Sequence, residues 1–433
     1  MALEALGIIL IVLVVLLVIG VPISYAIGIS SLAAILMVVP LDVSVLTAAQ
    51  RTFVGMSKFS LTAIPFFILA GNLMNQGGIA KRLVDFVLAI LGKLPGALLV
   101  TNVGANALFG AISGSASAAA AAVGSMVREG EDDQGYDPAV CAATNAASAP
   151  AGLLIPPSNA LITYSLVSGG TSVAALFLAG YIPGIIWALC CIIVAVLIAK
   201  KKGYKGTPGK FDWKNLGRVT LRALPSLSLI VVVIGGIVAG VFTATEGSAI
   251  AVVYALILGI CYKNITLKSF WKIVVDSAKM SGMIVFLIGV SNILGWVMAF
   301  TQIPQAISTV LLGITENPIM ILLIMNVILL IAGTFMDVTP AILIFTPLFL
   351  PIVKTFGMNP IQFGLILVYN LCIGNITPPV GNTLFVSIKV GKTTLAKVMP
   401  YMLLYYVAIL VGLLLVTYVP FVSMGLPILA GMV

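Results

Sequence analysis

Four short stretches hold most of the polar chemistry of an otherwise apolar chain. Two are prolyl breaks: Ala149-Pro150 with Pro156-Pro157-Ser158-Asn159, and Gly374-Asn375-Ile376-Thr377-Pro378-Pro379-Val380-Gly381-Asn382. Two are small-residue runs inside long apolar regions: Ser113-Gly114-Ser115-Ala116-Ser117, and Gly333-Thr334-Phe335-Met336-Asp337-Val338-Thr339-Pro340. Proline removes a helix hydrogen bond and clashes with the preceding turn, so paired prolines unwind a helix. Freed carbonyls together with Ser, Thr and Asn oxygens make a hard, oxygen-only environment that suits Na⁺. Half-helix N-termini present free N–H groups and a positive dipole end, which suits a carboxylate. The polar set is Ser113, Ser115, Ser117, Asn145, Ser148, Ser158, Asn159, Thr334, Asp337, Thr339, Asn375, Thr377 and Asn382. Asp337 is the one acidic residue that the reading places within a membrane, where carboxylates are costly and usually functional. It can also serve as an N-cap ahead of Pro340.

The elements that must position these residues follow from composition. Of 433 residues, 8% are charged and 61% hydrophobic, and the mean hydropathy is +1.22. About 25% charge is usual for soluble proteins, so the surface of a soluble enzyme cannot be covered. Disorder is excluded by the same numbers, and the solid apolar runs do not alternate as barrel strands do. What remains is an all-α polytopic membrane protein. The net charge of +9 reads as cytoplasmic loop charge rather than nucleic-acid binding. With no histidine among the 433 residues, Ser–His, Cys–His and HExxH chemistry is removed. The five cysteines show no metal spacing and read as small hydrophobes. Gly391-Lys392-Thr393 lacks the leading glycine of a phosphate loop, since position 386 is Val386. The N-terminus has no basic n-region and carries Glu4, so it does not read as a cleaved signal peptide.

Single spans are expected near 5–20, 23–40, 59–76, 173–199, 222–243, 247–262, 281–300 and 399–421, and broken spans over 138–168 and 360–390. The regions 96–128 and 318–356 are too long for one crossing, and their polar middles predict re-entrant hairpins, tolerated only inside protein or beside water. Amphipathic segments Gly78–Gly92 and Thr301–Thr315 precede the two hairpins. Pro156-Pro157 and Pro378-Pro379 stand 222 residues apart, and Gly169/Gly391 and Thr171/Thr393 keep the same spacing. The chain is therefore two copies of one plan. With residues 200–222 placed in the cytoplasm, all but three of the 22 basic residues fall inside, Lys210 among them, and Arg51, Lys58 and Lys354 fall outside. That bias requires both hairpins, opening to opposite sides, and puts both termini outside. The result is an inverted-topology repeat, as in secondary transporters. A small-residue run alone would fit close helix packing equally well; the inverted copy favours a site. An ion channel would need a polar stripe along a whole span, and none is found.

Pro65-Phe66-Phe67-Ile68-Leu69-Ala70-Gly71, Gly110-Ala111-Ile112-Ser113-Gly114-Ser115, Ile155-Pro156-Pro157-Ser158 and Thr377-Pro378-Pro379-Val380-Gly381 resemble the large membrane (M) subunit of tripartite ATP-independent periplasmic (TRAP) transporters. The resemblance covers nearly the whole chain. It implies the ion transporter superfamily fold and an elevator mechanism, coupling to Na⁺, and uptake of an organic acid across a bacterial inner membrane without enzymatic activity. It also implies two partners: a small four-helix membrane subunit (Q), expected here as a separate chain, and a soluble periplasmic binding protein (P). On that plan residues 1–76 and 173–300 and the C-terminal helix 398–433 are scaffold. Residues 77–95 and 301–317 are arm helices, and 96–172 and 318–397 form the transport domain. One Na⁺ site would lie among Ser113, Ser115, Asn145, Ser148 and Pro150, the other among Gly333, Thr334, Gly374 and Thr377. Substrate would meet Ser117, Ser158, Asn159, Asp337, Thr339 and Asn382. Many dicarboxylate-type members carry an acid after the first tip, where this chain has Ala118–Ala122. With the polar stretch Pro157-Ser158-Asn159 and Tyr164-Ser165, that departure points to a hydroxyl-rich acid such as sialic acid, with a C4-dicarboxylate or other carboxylate the next expectation. A stand-alone sodium–carboxylate symporter of the same superfamily is the competing expectation.

Overall fold

The computed structural model describes residues 2–207 and 212–433, apart from the side chain of Leu311, so Lys210 lies outside the described residues. All regular structure among them is helical. Seven helices are long and apolar enough to cross a membrane, and up to nine spans result if each bent pair is one span. Leu41–Met56, outside the expected spans, is a helix that meets Phe59–Gln76 at 58°. The span expected at 281–300 begins earlier, as one helix over Leu267–Phe300.

The chain starts its helices with the same device at matched places. Asp137 and Asn359 each cap a helix whose next residue is proline, accepting from the N–H of Ala139 and of Ile361. Proline at the first helical position sacrifices only an N–H that has no partner there. These caps open the two broken helices: Pro138–Ser148, Ala151–Leu154 and Asn159–Val167 in the first half, Pro360–Gly374 and Asn382–Val390 in the second. The peptide bonds Pro156-Pro157 and Pro378-Pro379 are both cis. Each hairpin is two helices around a short tip: Ala97–Ser113 with Ala116–Asp133, and Pro318–Phe335 with Val338–Thr355. The amphipathic segments expected before the hairpins are the helices Ile79–Leu91 and Ile303–Ile314.

Packing divides the helices into two groups, and the division differs from the sequence-based one. Val173–Lys202 and Leu395–Tyr418, expected as scaffold, lie against the broken helices, against each other and, for Val173–Lys202, against Ala97–Ser113. Trp187 Nε1 donates to the Ala147 carbonyl at 2.8 Å, and the Tyr405 and Thr144 hydroxyls are 2.7 Å apart. The C-terminal region is two helices, Leu395–Tyr418 and Pro420–Leu429, rather than one. Another set of helices packs together: Leu267–Phe300 on Ile23–Leu36, Leu41–Met56 and Ala63–Gln76, and Ala244–Cys261 on Ala63–Gln76. Hydropathy periodicity says how a helix is solvated, not which helix covers it, so this partition lay outside what the sequence expresses.

Candidate functional site

Each hairpin tip is built by a cap. Gly114, at φ +63°, ends Ala97–Ser113, and the Ser115 Oγ then accepts from Ala118 N at 3.3 Å. In the second half the Asp337 carboxylate accepts from Val338 N at 2.9 Å and starts Val338–Thr355. The expected capping role of Asp337 is therefore present. Its carboxylate is not sealed in: Asp337 is exposed toward the cleft described below, with the Asn382 amide beside it.

The helix breaks are held by hydrogen bonds that span them. Ser158 is fully buried; its hydroxyl donates to the Leu153 carbonyl and accepts from Leu161 N. At the second break Thr377 Oγ1 donates to the Ile373 carbonyl at 2.7 Å, Tyr406 donates to the Ile376 carbonyl at 2.6 Å, and Val380 N donates to the Thr334 carbonyl at 3.2 Å. The last bond ties the second hairpin tip to the second break. Asn375 Oδ1 and Thr383 Oγ1 are buried there without a partner, so two oxygens of the second break remain free to accept.

Both tips and both breaks meet at one cleft of about 120 Å³. Its polar lining is Ser115, Ser117, Asn159, Asp337, Thr339 and Asn375, and Ile68, Met280 and Ile284 of the other helix group form an apolar wall. Ala116, Ala160 and Val338, first-turn residues of three helices, also line it. Among the described residues, three helix N-termini thus border a space with one carboxylate and no Lys or Arg, an arrangement that suits an anion beside a cation.

The other expected site residues lie around this cleft rather than in it. Ser113 is buried, and a Cβ on Gly71 would come within 2.8 Å of its carbonyl oxygen. Asn145 and Ser148 belong to a separate buried network: Asn106 Nδ2 donates to Asn102, Asn145 and Ser148 at 2.8–3.0 Å. Asn145 Nδ2 continues to the Ala120 carbonyl and to Ser387. The second half repeats the device, with Asn370 donating to Asn326 at 2.8 Å and Asn326 to Thr417 at 3.1 Å. Ser148 and Asn370 are 222 residues apart, the spacing of the proline pairs. The Pro150 carbonyl accepts from Leu153 N at 2.9 Å. Gly333 and Gly374 meet backbone to backbone.

Sequence reasoning counts Asn375 in the polar set but assigns it to neither ion nor substrate, and does not find the wall of Ile68, Met280 and Ile284. Asn102, Asn106, Asn326 and Asn370 were missed too. The signal for them was asparagine inside an apolar helix, which must find a partner once water is gone. Glu131, beyond the apolar part of the first hairpin, is buried, at 3% exposure, whereas Asp337 is exposed toward the cleft. The described residues contain no group of three or more His, Cys, Asp or Glu that could hold a metal ion.

Comparison with known proteins gives a consistent result. The family model described as tripartite ATP-independent periplasmic transporter, DctM component, matches residues 10–422. Protein YgiK of Salmonella typhimurium is 49% identical over 96% of this chain and 95% of its own length. The C4-dicarboxylate TRAP transporter large permease protein DctM of Pseudomonas aeruginosa is 38% identical, covering 94% of this chain and 95% of that one. The sialic acid TRAP transporter large permease protein SiaM of Vibrio cholerae is 35% identical over 88% and 89%. Among solved structures, the YdaH transporter of Alcanivorax borkumensis aligns with a TM-score of 0.57 at 15% identity, over 84% of this chain and 87% of that one, a likeness of fold.

Proposed function

The chain belongs to the tripartite ATP-independent periplasmic transporter family as a DctM component, a multi-pass large permease protein of the bacterial inner membrane, and on that premise we propose that it carries an organic acid inward with Na⁺ as coupling ion. The observation that carries this reading is the cleft where both hairpin tips and both helix breaks converge, with three helix N-termini and the single carboxylate of Asp337. A substrate carboxylate about 5 Å from Asp337 would be repelled by about 3 kcal/mol at an effective dielectric of 20. A cation between them, or a pose that turns hydroxyls toward Asp337, removes that term. The hydroxyl and amide lining fits a hydroxylated acid, and sialic acid is the specific candidate, with a C4-dicarboxylate second. Of the relatives named above, DctM of Pseudomonas aeruginosa is a C4-dicarboxylate permease and SiaM of Vibrio cholerae a sialic acid permease.

The Na⁺ sites proposed are Ser113, Ser115, Asn145, Ser148 and Pro150 in the first half and Gly333, Thr334, Gly374 and Thr377 in the second. The free oxygens of Asn375 and Thr383 lie in the same second break. The hairpins are read as re-entrant, with both termini outside. Movement would carry the hairpins and broken helices together with Val173–Lys202 and Leu395–Tyr418, which pack on them, past the other helix group. A small four-helix membrane subunit and a periplasmic binding protein complete the transporter.

Thermal stability of the purified complex tests this reading. A panel of sialic acid, a C4-dicarboxylate such as succinate, and a neutral sugar is added with Na⁺ or with choline. An acid should raise the melting temperature in Na⁺ and fail to do so in choline. Stabilisation by the neutral sugar, or by an acid equally in choline, contradicts it.

A further inference from the structure

Two cavities outside the tip cleft share one residue. The first, about 240 Å³, lies between Leu267–Phe300 on one side and Asn159–Val167 with Val338–Thr355 on the other; Lys58, Ser291 and Asn292 supply its polar lining. The second, about 540 Å³, lies beside the turns at Gly169-Gly170 and Thr243–Thr245 and is also lined by Lys58. These turns fall on the side that the charge bias assigns to the outside, as does Lys58 itself.

The first cavity has hydrogen-bond donors with nothing to donate to. Ser291 is 5% exposed and its hydroxyl has no partner. The Asn292 amide lies against Gly55, where a Cβ would come within 2.8 Å of Nδ2. Neither Asn292 nor the exposed Lys58 makes a side-chain hydrogen bond or ion pair among the described residues. Among the described residues, no acidic side chain lines either cavity. The nearest acid in sequence to the second, Glu246, is held by Thr243, whose N–H and hydroxyl donate to its carboxylate at 2.7 and 2.9 Å. An ammonium, an amide and a buried hydroxyl that line one cavity with no carboxylate among them describe a place for an anion. A carboxylate leaving water must have its lost hydrogen bonds replaced, and the tip cleft has no cation of its own chain to attract it. A screened lysine at the mouth attracts the anion from a distance yet holds it weakly enough to pass it on.

We propose that Lys58, Ser291 and Asn292 form an outer receiving site for the carboxylate of the transported acid, occupied before the acid reaches the cleft between the hairpin tips. The proposal rests on the transporter reading above. The wall of this site includes Leu166 and Val167 of the first broken helix and Leu343 and Pro347 of the second hairpin, so displacement of those elements would reshape it and release the acid inward.

The test uses the complete complex in proteoliposomes, with uptake of sialic acid and of succinate measured against acid concentration. Lys58→Gln should raise the half-saturating concentration by about two- to fivefold, the range for one solvent-screened charge contact, with the maximal rate and Na⁺ dependence kept. Lys58→Arg should restore it, and added choline chloride should shrink the difference between wild type and Lys58→Gln. Lys58→Cys treated with a positively charged aminoethyl thiol reagent should recover, whereas a negatively charged sulfonatoethyl reagent should impair it further. An unchanged half-saturation in Lys58→Gln overturns the site. Equal effects of both reagents, or a defect indifferent to salt, assign Lys58 a packing role and overturn it as well. Retained Na⁺-driven uptake in those cases leaves the transporter reading standing; failure of the wild-type complex to take up any acid would sink that reading instead.

Discussion

A Cβ placed on Gly374 would lie 2.3 Å from the carbonyl carbon of Gly333, so the second broken helix and the second hairpin touch through bare backbone. The first half repeats the contact, with a Cβ on Gly152 lying 2.2 Å from Gly110 Cα. All four glycines are buried, and the atom nearest each added Cβ is backbone of the partner glycine. Gly374→Ala must therefore push backbone from backbone. A cost of about 1–3 kcal/mol or more is expected from overpacking, seen as a lower melting temperature in detergent together with lost uptake. A Gly374→Ala protein with wild-type melting and uptake would show that the contact does not set the site.

Ser113 ends the leading helix of the first hairpin, and Thr377 lies in the second helix break. Thr377 Oγ1 already donates back to the Ile373 carbonyl of the preceding helix, which leaves its lone pairs available to a cation. Ser113→Ala and Thr377→Ala are each expected to raise the Na⁺ concentration for half-maximal uptake, with normal expression. An unchanged Na⁺ response in both variants removes the two-site assignment.

Asp337 combines a cap with a charge. Asp337→Asn keeps an oxygen for Val338 N and a group beside Asn382, and loses only the charge, so the fold should survive, with a change within about 1 kcal/mol. Uptake should fall and its Na⁺ dependence should change. If the variant transports normally with the same Na⁺ response, the carboxylate serves as a cap alone.

The orientation argument can be checked without transport. A cysteine at Thr207 is expected to resist an impermeant thiol reagent added to intact spheroplasts, and one at Asp42 to react, in a background where exposed Cys261 is replaced by serine. The reverse pattern would overturn both the inward loop and the inverted repeat.

Much of the site was legible in the chain because its residues break rules that apolar helices obey. The proline pairs, the Ser-Gly-Ser run and the lone Asp337 cost free energy in a membrane helix, so each stands out locally, and Ser115, Ser117, Asn159, Asp337 and Thr339 do line one cleft. What stayed hidden depends on contact between distant segments. Nothing in Ile68 or Met280 marks either as a wall opposite the tips, and nothing in the hydropathy of Val173–Lys202 says that it backs the broken helices. Leu267–Phe300 was read short because Lys268, Lys272 and Lys279 dilute its first half, although a helix continues past charge where its end stands in water. Leu41–Met56 was lost for the same reason, through Asp42, Gln50 and Arg51.

The central claim, Na⁺-coupled uptake of an organic acid through this chain, is tested most directly by tracer uptake into proteoliposomes that contain it with its small membrane subunit. An inward Na⁺ gradient and the loaded binding protein are supplied outside. The acid should accumulate while the gradient lasts, leak back when the gradient is collapsed, and fail to accumulate in choline or without the binding protein. Accumulation at the same rate in choline, or at the same rate with no binding protein present, would contradict the account.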